Sequence, residues 1–516
     1  MMNRDALLRR YARLTRRMHP TVFFGSAAAV AIFVLFGGLF TETAAALFQT
    51  AQEGASRWFG WWYVLVTTGL LAFVIGLLAT PARHVRIGGP DAEPEFSRLG
   101  WFAMLFAAGM GVGLVYFGVA EPVMHLGNPL RAEPNTDAAA REAMRLAFFH
   151  WGLHPWAIYA VFALAIAHAH FNRGLPLAPR SALEPLIGQR YKGRIGDAVD
   201  ILCTVGTLLG VATSLGLGAQ QVNASLDLFF GVARGVTTQM ALIALITAIA
   251  TVSVVLGVSK GVQRLSQLNI GLAGALLLFV LLTGPTLYIV ETLITASGLY
   301  LQYLPRMSFY LDPGVDSAWQ TTWTLFYWGW WISWSPFVAI FVARVSRGRT
   351  VREFILGVLF APTLATFVWL AAFGGTGLWL ARVAESGADI AAAIDRSIES
   401  SLQAMLTALP LGGAAAVLAT LVIALFFVTS SDSGSLVDDM VTSGGDPSPP
   451  KAQRVFWAVS EGAVAATLLL LGGLSAIRNA AISFGLPMSL LLVIAAAALW
   501  RTLKRDAGAL RAVRAG

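Results

Sequence analysis

The chain is poor in charge: 12% of its 516 residues are Asp, Glu, Lys or Arg, against the roughly 25% usual in soluble domains. That scarcity, beside a hydrophobic content of 57%, excludes an ordinary soluble globule. Cysteine is nearly absent as well. Cys203 stands alone, so no internal disulfide can form, and no Cys/His grouping has the spacing of a structural zinc site. The N-terminus carries Arg4, Arg9, Arg10, Arg13, Arg16 and Arg17 ahead of a full-length apolar run without a small-residue cleavage pattern, so no cleavable signal peptide is expected.

What the chain has in quantity is apolar runs of about 18 to 28 residues, each long enough to cross a hydrocarbon layer of roughly 30 Å as a helix. Spans are read at 21–40, 60–79, 100–120, 143–168, 197–222, 237–257, 267–290, 319–343, 354–381, 408–430, 455–472 and 480–500, which makes an all-α, twelve-helix integral membrane protein. Alternate connections hold 27 of the 36 Lys and Arg, leaving 9 on the other side. Cytoplasmic loops carry such an excess, so both termini are placed in the cytoplasm, and the net charge of +8 is a topology signal with an attraction to anionic lipid rather than a nucleic-acid footprint. Residues 289–304 are too polar for a span and read as an amphipathic helix on the outer surface. The segment 433–452, with Gly-Gly and three prolines, reads as an irregular cytoplasmic connection.

Three places depart from a passive span. Gly109, Gly111 and Gly113 alternate in span three, where each costs a helix roughly 1 kcal/mol relative to alanine in water. Close helix packing competes as an explanation, but it favours a four-residue repeat; alternate glycines suit an unwound backbone lining a polar cavity. In span eight, Pro336 removes the donor that the carbonyl of Ile332 would accept, so a mid-membrane break is expected there too. Two interrupted helices five spans apart suggest inverted repeats, spans three to seven and eight to twelve. At the end of span ten, Thr429, Ser430, Ser431, Asp432 and Ser433 crowd oxygen donors of the kind a hard monovalent cation needs, although a lone membrane hydroxyl usually bonds its own backbone.

Aromatic residues complete the pattern. Trp330, Trp331, Trp334 and Phe337 fall within a helical sector of roughly 120°, and Trp151, Trp156 and Tyr159 of span four within about 140°. Two aromatic walls suit a cation held by ring quadrupoles, a quaternary ammonium above all. With no acid or base in the middle of spans three, four, eight or ten, a zwitterion fits better than a plain cation. His150 and His154, near the outer end of span four, are read as interfacial hydrogen-bonding groups. No filter ring, nucleophile, metal cluster or intramembrane acid/base pair is seen, so neither a channel nor an enzyme is expected.

The segments GMGVGLVYFGVAEP (109–122), HWGLHPWAIY (150–159), WGWWISWSPFVAIFVARVSRGRTVREF (328–354) and FFVTSSDSGS (426–435) resemble the betaine/choline/carnitine transporter family from about residue 20 to 500. The resemblance implies a leucine-transporter-type fold in a bacterial inner membrane, a homotrimer, and alternating-access movement of trimethylammonium compounds. It divides the chain into a basic tail (1–20), two peripheral helices (21–99), a first five-helix repeat (100–290), a surface helix and outer loop (291–318), a second repeat (319–500) and a short basic tail (501–516). Trp151, Trp156, Tyr159, Trp330, Trp331 and Trp334 resemble the family's aromatic box, with Gly109, Met110, Gly111 and Gly113 beside it and Phe337 as a gate below. Backbone oxygens of Ala107, Met110 and Phe426 with the hydroxyls of Thr429 and Ser430 resemble its principal sodium site. Thr207 matches one member of a second hydroxyl pair, but Val211 stands for the other, which argues against a second sodium. No basic side chain replaces the ion between Gly196 and Asp227. Choline carriers tend to have an acid at the position of Gly113. The basic tail is short beside the charged helix of osmosensing members, so strong osmotic activation is not expected. Sodium symport of glycine betaine is therefore the expectation, with proton-coupled or exchange-driven transport of choline or carnitine as the alternative.

Overall fold

A computed structural model describes residues 18–515 apart from 110, 257–258, 313–317, 384–386 and 447–448; the side chains of 106–109, 253–256, 259–264, 383, 387–389 and 510–515 also lie outside the description. The described residues are overwhelmingly helical and contain no strand beyond an isolated bridge between Arg86 and Thr350. The principal helices are α1 (Pro20–Leu39), α2 (Thr41–Leu78), α3 (Arg98–Gly109), α4 (Val112–Gly127), α5 (Asp137–Trp151), α6 (Leu153–Ala167), α7 (Arg194–Phe230), α8 (Val236–Leu256), α9 (Ser259–Thr283), α10 (Thr286–Ser308), α11 (Phe326–Val345), α12 (Val351–Val383), α13 (Gly412–Thr442), α14 (Lys451–Leu470) and α15 (Leu474–Ala515). Nine helical segments among the described residues are long and apolar enough to cross a membrane, and Val112–Gly127 and Val236–Val252 add shorter apolar helices.

Burial separates a centre from a periphery. The segments 137–172 and 318–345 are almost wholly enclosed by protein, whereas α1 and residues 265–283 leave most of their apolar surface uncovered. A helix apolar all round can sit in such a centre or face lipid. Around α11 pack α6, α7 and α15; α13 lies along α7, and α4 along α12. The amphipathic segment forms α10, which buries Ile289, Ala296, Tyr300 and Met307 on one face and lies against α5 and α12. At the end of α11 the turn to α12 is tied to the segment after α2 by backbone bonds from Ile87 N to Arg349 O (2.9 Å) and from Val351 N to Val85 O (2.8 Å).

Three expectations need correction. Span three is interrupted, with α3 ending at Gly109 and α4 starting at Val112, but α11 runs unbroken through Pro336. The carbonyl that Pro336 strands is taken instead by a side chain: Ser335 Oγ donates to Ile332 O at 2.7 Å. The second interruption is in span four, where α5 ends at Trp151 and α6 begins at Leu153, whose freed N–H donates to Tyr300 Oη at 3.1 Å. Lastly, α13 continues to Thr442, so the segment read as an irregular connection from 433 is helical for its first ten residues.

Candidate substrate and ion site

The aromatic residues of α11 form a stacked column. Ring centroids of Trp330 and Trp331 are 4.8 Å apart at 15°, Trp330 and Trp334 6.1 Å at 10°, and Trp334 and Phe337 5.9 Å at 8°. Trp151, at the α5/α6 break, sets its ring edge-on to Trp331 at 4.9 Å and to Trp330 at 6.3 Å. These rings are all buried. The break at Gly152 positions Trp151 at a helix end, and Trp331 Nε1 donates to the backbone oxygen of His150 at 3.0 Å, which fixes one wall of the cluster to the other.

Gly113 is required by this cluster. A Cβ there would fall 2.5 Å from Trp330 Cη2, closer than real side chains approach, and a tight 3.3 Å from Trp151 Cη2. Trp156 and Tyr159, both on α6, pair with each other at 5.6 Å and 84°. No ring contact joins them to the column among the described residues. The indole nitrogens of Trp156, Trp330 and Trp334 and the hydroxyl of Tyr159 are nonetheless alike in one respect: each is a buried donor without a partner.

A residue that the sequence reading passed over stands at the hub. Glu121 is fully buried on α4 and accepts from Trp151 Nε1 at 2.8 Å, Tyr327 Oη at 2.6 Å and His150 Nδ1 at 2.6 Å. With Nδ1 donating, the other ring nitrogen accepts in a neutral His150 and donates in a protonated one, and Thr324 Oγ1, which can do either, lies 3.1 Å from it. Ending span three at 120 left Glu121 just outside, yet a lone acid in an apolar helix is itself a signal. His150 and His154 lie inside the bundle and not at an interface: His154 Nε2 meets Ser308 Oγ at 3.1 Å and its ring stacks on Trp328. Glu121, His125 and His150 bring ligand atoms within 4.8 Å of one another, a metal-capable spacing. The three donors already on Glu121 make the arrangement a hydrogen-bond hub.

At the other wall the hydroxyl segment of α13 divides. Thr429 Oγ1 donates to Leu425 O at 2.9 Å, as isolated membrane hydroxyls do, although its lone pairs stay available to an ion. Ser431 Oγ donates to Glu461 Oε2 at 2.9 Å, and Asp432 pairs with Arg454 at 3.5 Å. Ser430 points elsewhere. Its Oγ is 3.7 Å from the position a Cβ would take on Gly111, so the interior of α13 faces the interruption of span three. Phe426 is half-buried on the same helix. Met110 lies outside the described residues, and of Ala107 and Gly109 only the helical backbone is described.

Interrupted α3/α4, an aromatic cluster of Trp151 with Trp330, Trp331 and Trp334, and hydroxyls facing the interruption coincide with a family match. Residues 21–508 match the model of the betaine/carnitine/choline family transporters. The chain belongs to this family. Its relatives include an uncharacterised transporter of Mycobacterium tuberculosis, 45% identical over 96% of this chain and 84% of the relative. The glycine betaine transporter OpuD of Bacillus subtilis is 42% identical over 94% of each chain. A glycine betaine/proline/choline transporter of Vibrio parahaemolyticus is 41% identical over 93% of this chain and 89% of its own. This family member is thus a multi-pass membrane transporter of the betaine/choline type, and the aromatic cluster lies in its most enclosed helices.

Proposed function

We propose that this transporter imports a quaternary-ammonium compatible solute, glycine betaine first, by sodium symport and alternating access. One observation carries the reading: Trp151, Trp330, Trp331 and Trp334 meet in a buried cluster, and the indole edges of Trp330 and Trp334 lack partners. Ring faces attract a trimethylammonium, which has no N–H to satisfy. The unpartnered donors mark the cluster as a place for a polar ligand or water rather than a sealed apolar core. Tyr159 and Trp156, also unpartnered, belong to the same binding region on this reading, and Phe337 closes the column below it. The Bacillus relative, named a glycine betaine transporter, and the Vibrio relative, named a glycine betaine/proline/choline transporter, add support for the substrate class.

Sodium would be held by Thr429 and Ser430 with the backbone oxygens of Ala107, Met110 and Phe426. What supports this is the approach of Ser430 to Gly111, because an ion between them would couple α13 to the interrupted helix. Twelve spans, arranged as two inverted five-helix repeats of the leucine-transporter type, inner-membrane residence with cytoplasmic termini, contacts with membrane lipids and a homotrimer belong to the same proposal. A second reading, proton-coupled or exchange-driven transport of choline or carnitine, is favoured by the buried Glu121–His150 pair beside Trp151.

Uptake of labelled glycine betaine into proteoliposomes decides between them, under an inward sodium gradient, a matched potassium gradient and a proton gradient alone. Saturable accumulation requiring sodium supports symport. Accumulation driven by protons without sodium transfers the coupling role to Glu121 and His150, and absence of betaine uptake under all three gradients removes the substrate assignment.

A further inference from the structure

Arg478 near the start of α15 has no role in the reading above. It sits in a helix that counts among the apolar spans, and its Nε and Nη2 are buried without a hydrogen-bond partner. No carboxylate pairs with it among the described residues. Arg478 as a whole is half-buried, but burying the Nε/Nη2 edge of a cation without a partner is costly, and such a group in an apolar helix points to function. Its neighbours are rings: the guanidinium carbon is 5.3 Å from the centroid of Phe326 and 5.9 Å from that of Trp323. Cation–π contacts offset only part of that cost.

The surroundings place this charge next to the aromatic cluster. Phe326 stacks on Trp330 at 5.5 Å and 25°, so the guanidinium stands one ring beyond the first tryptophan of the column. Trp330 also lies parallel to Tyr327, whose hydroxyl donates to Glu121. A cation and an anion therefore flank the same cluster. The two orphaned nitrogens of Arg478 form one edge of the guanidinium, the edge that grips a carboxylate with two parallel N–H···O bonds.

We propose that Arg478 binds the carboxylate of the zwitterionic substrate at the Phe326 end of the column, and so selects zwitterions over plain cations. The inference rests on the reading of the chain as a betaine transporter. A trimethylammonium turned toward Trp330 and Trp331 then lies on the Glu121 side, while its carboxylate supplies the acceptors that the Nε/Nη2 edge lacks. Choline, which has the same cationic head and a hydroxyl in place of the carboxylate, gains nothing from this contact and is repelled by the like charge.

The test is equilibrium binding of labelled glycine betaine and labelled choline to the purified full-length protein, wild type against Arg478→Gln and Arg478→Lys. Arg478→Gln should weaken betaine by about tenfold or more and leave choline unchanged or tighter. Arg478→Lys keeps the charge but loses the two-pronged edge, and should weaken betaine by less, about threefold. Unaltered betaine binding in Arg478→Gln, or equal weakening of both ligands, overturns the assignment. Monodisperse elution and an unchanged melting midpoint establish that each variant is folded; if Arg478→Gln does not fold, the betaine-to-choline ratio of Arg478→Lys is decisive, since a merely structural arginine would leave that ratio at the wild-type value. A wild-type protein that binds choline and not betaine overturns the betaine reading and this inference together, whereas betaine binding insensitive to Arg478 overturns this inference alone.

Discussion

Two helices meet at the aromatic cluster, and both carry a helix breaker, but only one is broken. Around Gly109–Gly113 the chain stops being helical between α3 and α4; around Pro336 it does not. The difference lies in what takes up the stranded backbone group. Ser335, one residue before the proline, caps the carbonyl of Ile332 from within the same helix, so the ladder closes over the gap. Just past the interruption, in the first turn of α4, a glycine serves packing: with no Cβ at 113, the backbone can lie against the rings of Trp330 and Trp151. A breaker in sequence is thus a demand for a partner, and its outcome depends on whether a neighbouring side chain can meet the demand locally.

Breaking the glycine side of this comparison should have the largest effect. Gly113→Val puts a branched side chain where even a Cβ would meet Trp330 at 2.5 Å, and overpacking of this kind costs typically 1–3 kcal/mol. Uptake of betaine should fall by about ten- to a hundredfold, measured as initial rate in proteoliposomes at matched protein density. Rates within twofold of wild type would show that the interrupted segment does not have to approach the rings. Trp331→Leu acts on the facing wall and comes next. It removes ring faces from the cluster and the bond to His150 O, and the half-saturating betaine concentration should rise by about tenfold, the equivalent of roughly 1.4 kcal/mol, with little change in maximal rate. An unchanged half-saturation would remove Trp331 from the binding wall.

The architecture was open to sequence reasoning to a greater degree than the site. Apolar runs located the helices because span length is set by bilayer thickness. Trp330, Trp331 and Trp334 were placed on one face by helical spacing alone, and the structure stacks them. Trp151 could be nominated, but its edge-on contact with Trp331 depends on a break at Gly152 that a single glycine does not announce. Glu121 and Arg478 were missed for a common reason: each sits at the margin of an apolar run, where hydropathy cannot distinguish a residue facing water from one folded into the bundle. Their partners, separated by 29 residues for Glu121 and His150, come from other helices. Tertiary packing decides such cases.

A smaller effect separates the two hydroxyls assigned to the ion. Thr429 already donates to Leu425 O within its own helix, whereas Ser430 faces Gly111. Ser430→Ala should therefore raise the half-saturating sodium concentration several-fold, and Thr429→Ala by less; a shift of about 1 kcal/mol corresponds to roughly fivefold. Betaine affinity at saturating sodium should remain near wild type for both, read from uptake against sodium concentration. The reverse order of effects would place the ion on the Thr429 side and detach it from the interruption of span three.

The last effect, on stability and not on transport, tests the intact helix. If the Ser335 hydroxyl matters because Pro336 strands the carbonyl of Ile332, the two residues must be coupled. Ser335→Ala in the wild-type background leaves a buried carbonyl without a donor, at a cost of about 1 to 2 kcal/mol. In a Pro336→Ala background the restored N–H of residue 336 can bond that carbonyl, and the same substitution should cost only a few tenths of a kcal/mol. The four proteins form a double-mutant cycle with an expected coupling of about 1 kcal/mol, measured from thermal or denaturant midpoints in a fixed detergent. Additivity within about 0.3 kcal/mol would mean that Ser335 does not compensate the proline, and that α11 stays continuous because packing on α6, α7 and α15 holds it so.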